Sequence, residues 1–157
     1  MIKKNFSIII VSLILISCGF TPTYKISDNA LRGSSVIYDV NKDNSYEIRQ
    51  ILSKNLINAD KLSAKYIIDI SVSETETAVN ILSNGSVSKY RVESLINFKI
   101  YEIKTKDIIY KSKTRGFSSY DVSTSEYTNK LLKENALTTS LIEAIHLMDV
   151  IINSKIN

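Results

Sequence analysis

The sequence predicts an α+β domain in which two helices pack on one face of a roughly four-stranded mixed sheet, with elements in the order β-α-β-β-β-α. Two long runs, Tyr66 to Leu82 and Val87 to Ile103, alternate apolar and polar residues with the period of a strand. Two other stretches carry apolar residues at helical spacing: a short one through Ile48, Ile51, Leu52 and Leu56, and a long one from Leu137 to Ile152. A sheet this narrow, served by two helices, buries one face and leaves the other open.

The chain begins with Lys3 and Lys4, an apolar segment from Phe6 to Ile16, the small residue Ser17, and Cys18, the only cysteine. Positive residues, a short hydrophobic run, a small residue and a cysteine follow one another as a bacterial lipoprotein signal requires. The apolar run falls short of the ~20 residues that span a bilayer. A lone cysteine in an exported chain also has no mate for an intrachain disulfide. Residues 1–17 are therefore read as a lipoprotein signal peptide and Cys18 as the lipid-attachment site, bearing an S-diacylglycerol and an N-acyl chain once cleavage makes it the first residue. At ~0.8 kcal/mol per buried methylene, two or three acyl chains anchor firmly where one is marginal.

Cleavage leaves 140 of the 157 residues, enough for one domain with a real core. Loss of Lys3 and Lys4 lowers the formal charge from +4 to +2, with 18 basic residues facing 16 acidic ones. So small a bulk charge names no partner, and the placement of the bases has to carry the argument.

Residues 18–35 hold Pro22, Gly33 and several Ser, Thr and Asn without periodicity, and read as the lipidated N-terminus and a tether. The domain proper is expected over 36–157. Val36 to Val40 is a short β-rich run and the first strand. Asn44 is expected to cap the first helix, with Glu47 as its reciprocal partner in a capping box. That helix buries Ile48, Ile51, Leu52 and Leu56 and exposes Glu47, Arg49, Lys54 and Asn58.

The next two strands place Tyr66, Ile68, Ile70 and Val72 on one face, and Tyr90, Val92, Ile96, Phe98 and Ile100 on the same, even-numbered face. Directly opposed residues in an antiparallel pair point the same way, so even must pair with even. A two-residue Asn84-Gly85 turn would violate that parity and set Ile70 against Lys99. A three-residue Ser83-Asn84-Gly85 turn pairs Leu82 with Ser86, Ile70 with Phe98 and Val72 with Ile96, with Gly85 left-handed in a G1 bulge. Val79 and Ile81 then fall on the odd face, which predicts a twist or bulge near Glu74 to Thr77.

A second hairpin turns at Thr105-Lys106-Asp107 and returns over Ile108 to Gly116, with Tyr110, Ser112 and Thr114 facing the core. Residues 116 to 125 are expected as loop. Ser123 and Glu126 are expected as a capping box before a helix running to about Ile152, with Leu137, Leu141, Ala144, Ile145, Met148, Ile151 and Ile152 on its apolar face.

Catalytic candidates are scarce. His146 is the only histidine and sits among Ile145, Leu147 and Met148, the setting of a structural or partly exposed side chain more than of a general base. One His and a lipidated Cys assemble no metal cluster. Glu74 and Glu76 share a strand face, but alternating Glu and Thr on a hairpin projecting into water accounts for them. No Gly-rich phosphate loop or nucleophile elbow is present in the sequence. The sequence thus predicts no enzyme and no cofactor beyond the covalent lipid.

The informative constellation is basic. Lys89, Arg91, Lys99, Lys111, Lys113 and Arg115 all fall on the odd face, with Lys104 and Lys106 extending them into the turn and Glu93 and Asp69 interrupting the patch without balancing it. An open sheet face is commonly charged, and lysines on it discourage edge pairing. The functional alternative is a phosphorylated or acidic ligand, which Arg grips bidentately while Lys adds point charge. Export removes nucleic acid as a partner, and an anionic envelope lipid fits the address.

Cys18-Gly19-Phe20 followed by Pro22 and Tyr24, a short strand and an Arg-containing helix resembles the start of the LPS-assembly lipoprotein LptE family, in its alphaproteobacterial form. Asn84-Gly85 with Lys89-Tyr90-Arg91-Val92, a hairpin, the Arg115-Gly116-Phe117-Ser118-Ser119-Tyr120 segment and a long closing helix repeat that layout over nearly all of Cys18 to Ile152. Thr23-Tyr24-Lys25 lacks the glycine that often follows the tyrosine, and the last helix is poorer in alanine than most of the family. The resemblance implies a plug inside an LptD-like outer-membrane β-barrel that assists the barrel's assembly and contacts lipopolysaccharide. Lys89, Arg91, Lys111, Lys113 and Arg115 are the implied lipopolysaccharide contacts. Gly19 after the cysteine resembles the enterobacterial signal for the outer membrane, so the expected location is lipid-anchored on its periplasmic side. The alternative is a lipoprotein binding subunit of another envelope lipid-transport system of the ABC type.

Overall fold

The computed structural model describes residues 36–156. The segments read from the sequence as a signal peptide (1–17) and a tether (18–35), Cys18 included, lie outside the described residues. The elements are β1 (Val36–Val40), α1 (Tyr46–Asn55), β2 (Tyr66–Ile81), β3 (Val87–Glu102), β4 (Ile108–Asp121) and α2 (Glu126–Ile156). The strands lie in the order β1-β2-β3-β4. β1 runs parallel to β2 across the α1 crossover, and the other pairs are antiparallel. This is the α+β arrangement that the two periodicities dictate.

The even-numbered face is the buried one. Ile68, Ile70, Ile96 and Ile100 are fully enclosed, and Phe98 nearly so, beneath Leu52 of α1 and Leu141, Ala144, Met148 and Ile152 of α2. Each large aliphatic side chain buried this way contributes roughly 1.5–3 kcal/mol. Ile70 faces Phe98 and Val72 faces Ile96, as parity requires. The Leu82 N–H donates to Ser86 O at 2.8 Å, the Gly85 N–H to Leu82 O at 2.9 Å, and Gly85 sits at φ +83°. The turn is therefore the three-residue one, and its left-handed position needs glycine.

The expected irregularity at Glu74 to Thr77 lies instead at Ala78 to Ile81. Ala78 pairs with Tyr90, Asn80 with Lys89 and Ile81 with Val87, so Val79 and Ser88 are each skipped and the second slip restores what the first lost. Glu76 explains the displacement. It must stay on the even face to take the Lys133 ammonium at 2.7 Å and the Tyr120 hydroxyl, which tie β2 and β4 to the first turns of α2. Although burial pushes the other way, those two hydrogen bonds hold the Glu76 carboxyl below its usual range.

Both expected capping boxes are replaced. Asn44 is buried, and its Oδ1 accepts from the Val72 N–H at 3.2 Å, a bond across 28 residues. Ser45 takes the cap, accepting from the Ile48 N–H at 3.3 Å. Ahead of α2, Ser125 accepts from the Thr128 N–H at 3.4 Å. The Asn129 side chain reaches back to the Ser123 backbone at 2.6 and 2.9 Å. In each case the outer candidate is drawn into a tertiary or clamp contact, and the serine nearest the helix is left to cap it.

β4 continues to Asp121 where loop was expected from Gly116, and α2 extends to Ile156. The reason is a close seam between them. A Cβ on Gly116 would stand 1.9 Å from the Ser140 carbonyl oxygen and 2.8 Å from the Ala144 nitrogen. Beside it the Ser94 and Ser140 hydroxyls meet at 2.7 Å, and Thr114 Oγ1 donates to Ala144 O at 2.9 Å. Glycine here admits the helix backbone and lets the strand run on beneath it.

The sheet edges are partly occupied. Glu143 on α2 accepts the outward Phe117 N–H of β4 at 2.7 Å. On β1 the Tyr38 N–H donates to Asn58 Oδ1 at 2.7 Å, and the Ala59 N–H donates to Val36 O at 2.8 Å. Such contacts remove the unpaired groups that would recruit another strand.

Asp149 is the odd member of the α2 face. Burial pushes its carboxyl up to about 6, against the opposing pull of His146 and the Tyr38 hydroxyl. Burial, then the charge of Asp149, raises the Tyr38 hydroxyl in turn. The folded chain keeps the Asp149 proton to about pH 6, whereas the unfolded chain releases it near 4. Stability contributed by this group is full at low pH and falls as pH rises through that window.

Two outcomes follow from the packing. Gly116→Ala lowers unfolding stability by about 3 kcal/mol or more, whereas Gly85→Ala, in open space, costs about 1 kcal/mol through its left-handed backbone alone; urea titration separates them. Asp149→Asn flattens the decline in stability between about pH 4 and 6 and gains about 1–2 kcal/mol at neutral pH, read from denaturant midpoints across pH.

Candidate functional site

The odd-numbered face carries no helix, and alternation sets three columns of side chains on it. β2 contributes Asp69, Ser71, Ser73, Thr75 and Thr77; β3 contributes Lys99, Asn97, Leu95, Glu93, Arg91 and Lys89; β4 contributes Lys111, Lys113, Arg115, Phe117 and Ser119. Same-face residues stand ~7 Å apart along a strand and neighbouring strands ~4.8 Å apart. Lys111, Lys113 and Arg115 therefore form one row along β4. Lys111 lies opposite Lys99, Lys113 opposite Asn97 and Arg115 opposite Leu95.

The structure brings these three together and sets the other two expected residues apart. Arg91 pairs with Ser119 and Lys89 with Asp121, two and three same-face steps beyond Arg115. Glu93 stands between the groups and meets Arg115 at 3.4 Å. Lys89 meets Asp121 at 3.7 Å, and Lys99 meets Asp69 at 3.8 Å. These are long, solvated pairs worth ~0–1 kcal/mol, so they offset charge more than they hold the fold. Among the described residues, Arg91, Lys111 and Lys113 have no ion pair of this kind and keep their charge uncompensated. Cys18 lies outside the described residues.

A shallow groove of about 230 Å³ crosses this face, lined by Asp69, Ser71, Asn97, Lys99 and Lys111. Sequence reasoning grouped the bases but missed Asn97 and Ser71, the neutral hydrogen-bonding members. Their positions follow from the register, because Ser71 pairs with Asn97 and Asn97 with Lys113. Two ammonium groups and two neutral polar side chains around a groove with one carboxylate suit an oxyanion whose remaining oxygens need donors. Among the described residues, no three His, Cys, Asp or Glu stand close enough together to hold a metal ion. His146 lies on the exposed side of α2, on the layer remote from this groove.

No protein-family model matches the sequence, and no curated protein is similar to it in sequence. Solved structures are similar in fold. A crystal structure described provisionally as a lipoprotein from Caulobacter crescentus CB15 superposes with a TM-score of 0.60 at 16% identity, over 76% of this chain and 88% of that one. The two share a fold. Rare lipoprotein B from Shewanella oneidensis gives a TM-score of 0.45 at 12% identity, covering 75% of this chain and 98% of the other. A minor lipoprotein from Acinetobacter baumannii gives 0.47 at 12% identity, covering 68% and 83%.

Charge substitutions on the face should separate its members. Glu93→Gln releases Arg115 and increases retention on a phosphate-bearing cation exchanger, while changing stability by under ~1 kcal/mol. Lys111→Gln with Lys113→Gln decreases that retention, and both effects fade as added salt screens the face.

Proposed function

We propose that this chain is an outer-membrane lipoprotein of the lipopolysaccharide transport and assembly machinery. In this reading it is held on the periplasmic side through acylated Cys18, plugs an LptD-like β-barrel, assists that barrel's assembly and contacts lipopolysaccharide during its insertion into the outer leaflet. It acts by binding and not by catalysis, and needs no cofactor beyond its covalent lipid.

The observation that carries the reading is the uncovered odd face of the sheet, where Lys111, Lys113 and Arg91 keep uncompensated charge. Phosphorylated glycolipid presents clustered phosphates, which a guanidinium can bind through two parallel hydrogen bonds and which ammonium groups attract as point charges. Support for the lipoprotein part comes from the order Lys3-Lys4, apolar run, Ser17, Cys18 and from the fold shared with the Caulobacter protein. The sequence layout that resembles the LptE family supplies the barrel partner. Lys89 and Arg115 belong to the binding face in this reading, with Asp121 and Glu93 exchanged for ligand phosphate on contact.

The decisive experiment is gentle membrane extraction through a C-terminal tag. An outer-membrane β-barrel recovered in stoichiometric amount is the expected result. An inner-membrane transporter in its place would move the function to a binding subunit of another lipid-transport system. In the purified protein, Arg91→Glu with Lys113→Glu weakens lipopolysaccharide binding at least about tenfold and reduces its salt sensitivity, each charge near an anionic lipid surface being worth ~1 kcal/mol. Unchanged binding would remove these residues from the contact.

A further inference from the structure

The chain directions gather several segments at one end of the domain. β1 begins there at Val36, and the Ala59 N–H donates to Val36 O at 2.8 Å, which fixes the loop after α1 beside it. Tyr66 starts β2 opposite both Val36 and Glu102. The Ile103 N–H donates to Lys65 O at 2.8 Å and sets the β3–β4 turn against the same loop. α2 also ends here, with the Lys155 ammonium 5.1 Å from the Tyr110 ring centre.

This foot exposes apolar side chains that the packing does not require. Leu62 is 96% exposed and Ile57 55% exposed. Leu62 is held outward by an ordered turn, since Asp60 takes the Leu62 N–H on its side chain and the Ser63 and Ala64 N–H groups on its carbonyl. An apolar recess of about 350 Å³ lies alongside, lined by Ile67, Tyr101, Ile103 and Lys106. Lys61, Lys65, Lys104, Lys106 and Lys155 are exposed around these residues, against the acids Asp60, Glu102 and Asp107. Two of those acids serve their own turns, Asp60 as above and Glu102 by accepting from Thr105 Oγ1 at 3.1 Å. The far end of the β2–β3 hairpin also exposes Ile81 and Leu82, but there the neighbouring Lys89, opposite Asn80, is paired with Asp121 at 3.7 Å.

We propose that this foot is a membrane-docking surface, in which Leu62 and Ile57 enter the interfacial layer of a bilayer while the surrounding lysines engage anionic phospholipid headgroups. This placement of the foot rests on Cys18 being acylated, as in the proposed function. Only residues 18–35 separate the lipid from Val36, a reach of at most about 60 Å. That tether joins the domain at the foot itself. Aliphatic tips ringed by lysines are the pattern that binds an anionic interface, by apolar insertion together with electrostatic attraction. In the chain free of a barrel, the state the vesicle test reads, the docked orientation directs the sheet's long axis away from the membrane and keeps its basic face accessible along the side.

The test uses the acylated full chain in vesicles, with an environment-sensitive dye on one introduced thiol. Leu62→Cys and Thr105→Cys label the foot, and Asn84→Cys labels the opposite end. In phosphatidylethanolamine–phosphatidylglycerol vesicles both foot probes are quenched by lipid-borne quenchers while the Asn84 probe is not. The signal at Thr105 drops about fivefold for each of Lys61→Gln and Lys104→Gln, and in phosphatidylcholine alone. Foot probes that report water in every vesicle, or equal quenching at Asn84, would overturn docking. Mass measurement of the N-terminal peptide reads acylation separately. If Cys18 is unmodified, the anchoring reading falls, and docking is then tested by sedimenting the unacylated chain with phosphatidylglycerol vesicles at low salt, where failure to pellet overturns it.

Discussion

The close approach of α2 to β3 and β4 is the constraint on which the rest of the structure depends. Gly116 leaves room for the Ser140 carbonyl, and Ser94, Thr114, Ser140 and Ala144 are the small neighbours that let a helix backbone lie almost on the sheet. In so dry a contact every hydroxyl must find a partner, because an unsatisfied buried polar group costs ~1–3 kcal/mol. The two serines satisfy each other and the threonine takes a helix carbonyl. This seam sets the height of α2 over the sheet, and the larger core residues Leu141, Met148, Phe98 and Ile100 fill the space on its β1 side.

With both helices drawn to the even face, the odd face is left with side chains that answer to solvent or to a ligand. Its charges are arranged in a graded way. Acids temper Lys89, Lys99 and Arg115 at distances of 3.4–3.8 Å, while Arg91, Lys111 and Lys113 retain full charge among the described residues. A face of lysines with no acids would repel itself and bind any polyanion. A partly compensated face favours ligands with enough phosphate density to displace the acids. The groove between Lys99 and Lys111, with Ser71 and Asn97 as neutral donors, adds directionality to that attraction.

The same topology sorts the molecule along its length. Strands and helices alternate direction so that the chain's entry, the α1–β2 loop, the β3–β4 turn and the end of α2 meet at one foot. The β2–β3 hairpin projects at the other end, where β1 no longer flanks it. The Glu76, Tyr120 and Lys133 cluster braces that projection against α2, and the Tyr90 and Tyr120 rings stack beside it at 5.6 Å. Along that length the open face carries its bases in two groups, Lys111, Lys113 and Arg115 toward the foot and Arg91 with Lys89 toward the tip, with Glu93 between them.

Whatever depends on periodicity is legible in the amino-acid order alone. Alternation placed Ile68, Ile70, Ile96, Phe98 and Ile100 on the core face and the bases on the other, and parity alone selected the three-residue turn at Ser83-Asn84-Gly85, because a one-residue slip would have turned a strand inside out. Tertiary structure decided what depends on competition between partners. Asn44 is a good cap by type, yet its oxygen serves Val72 from across the fold, and Ser45 caps in its place. Gly116 reads as a strand end and is instead the point where a helix presses on a continuing strand. The candidate site divides in the same way: spacing and register placed the cations on one face, with Asp69 directly opposite Lys99. The diagonal reach of Glu93 to Arg115, which sits opposite Leu95, follows from twist and rotamer, and linear spacing encodes neither.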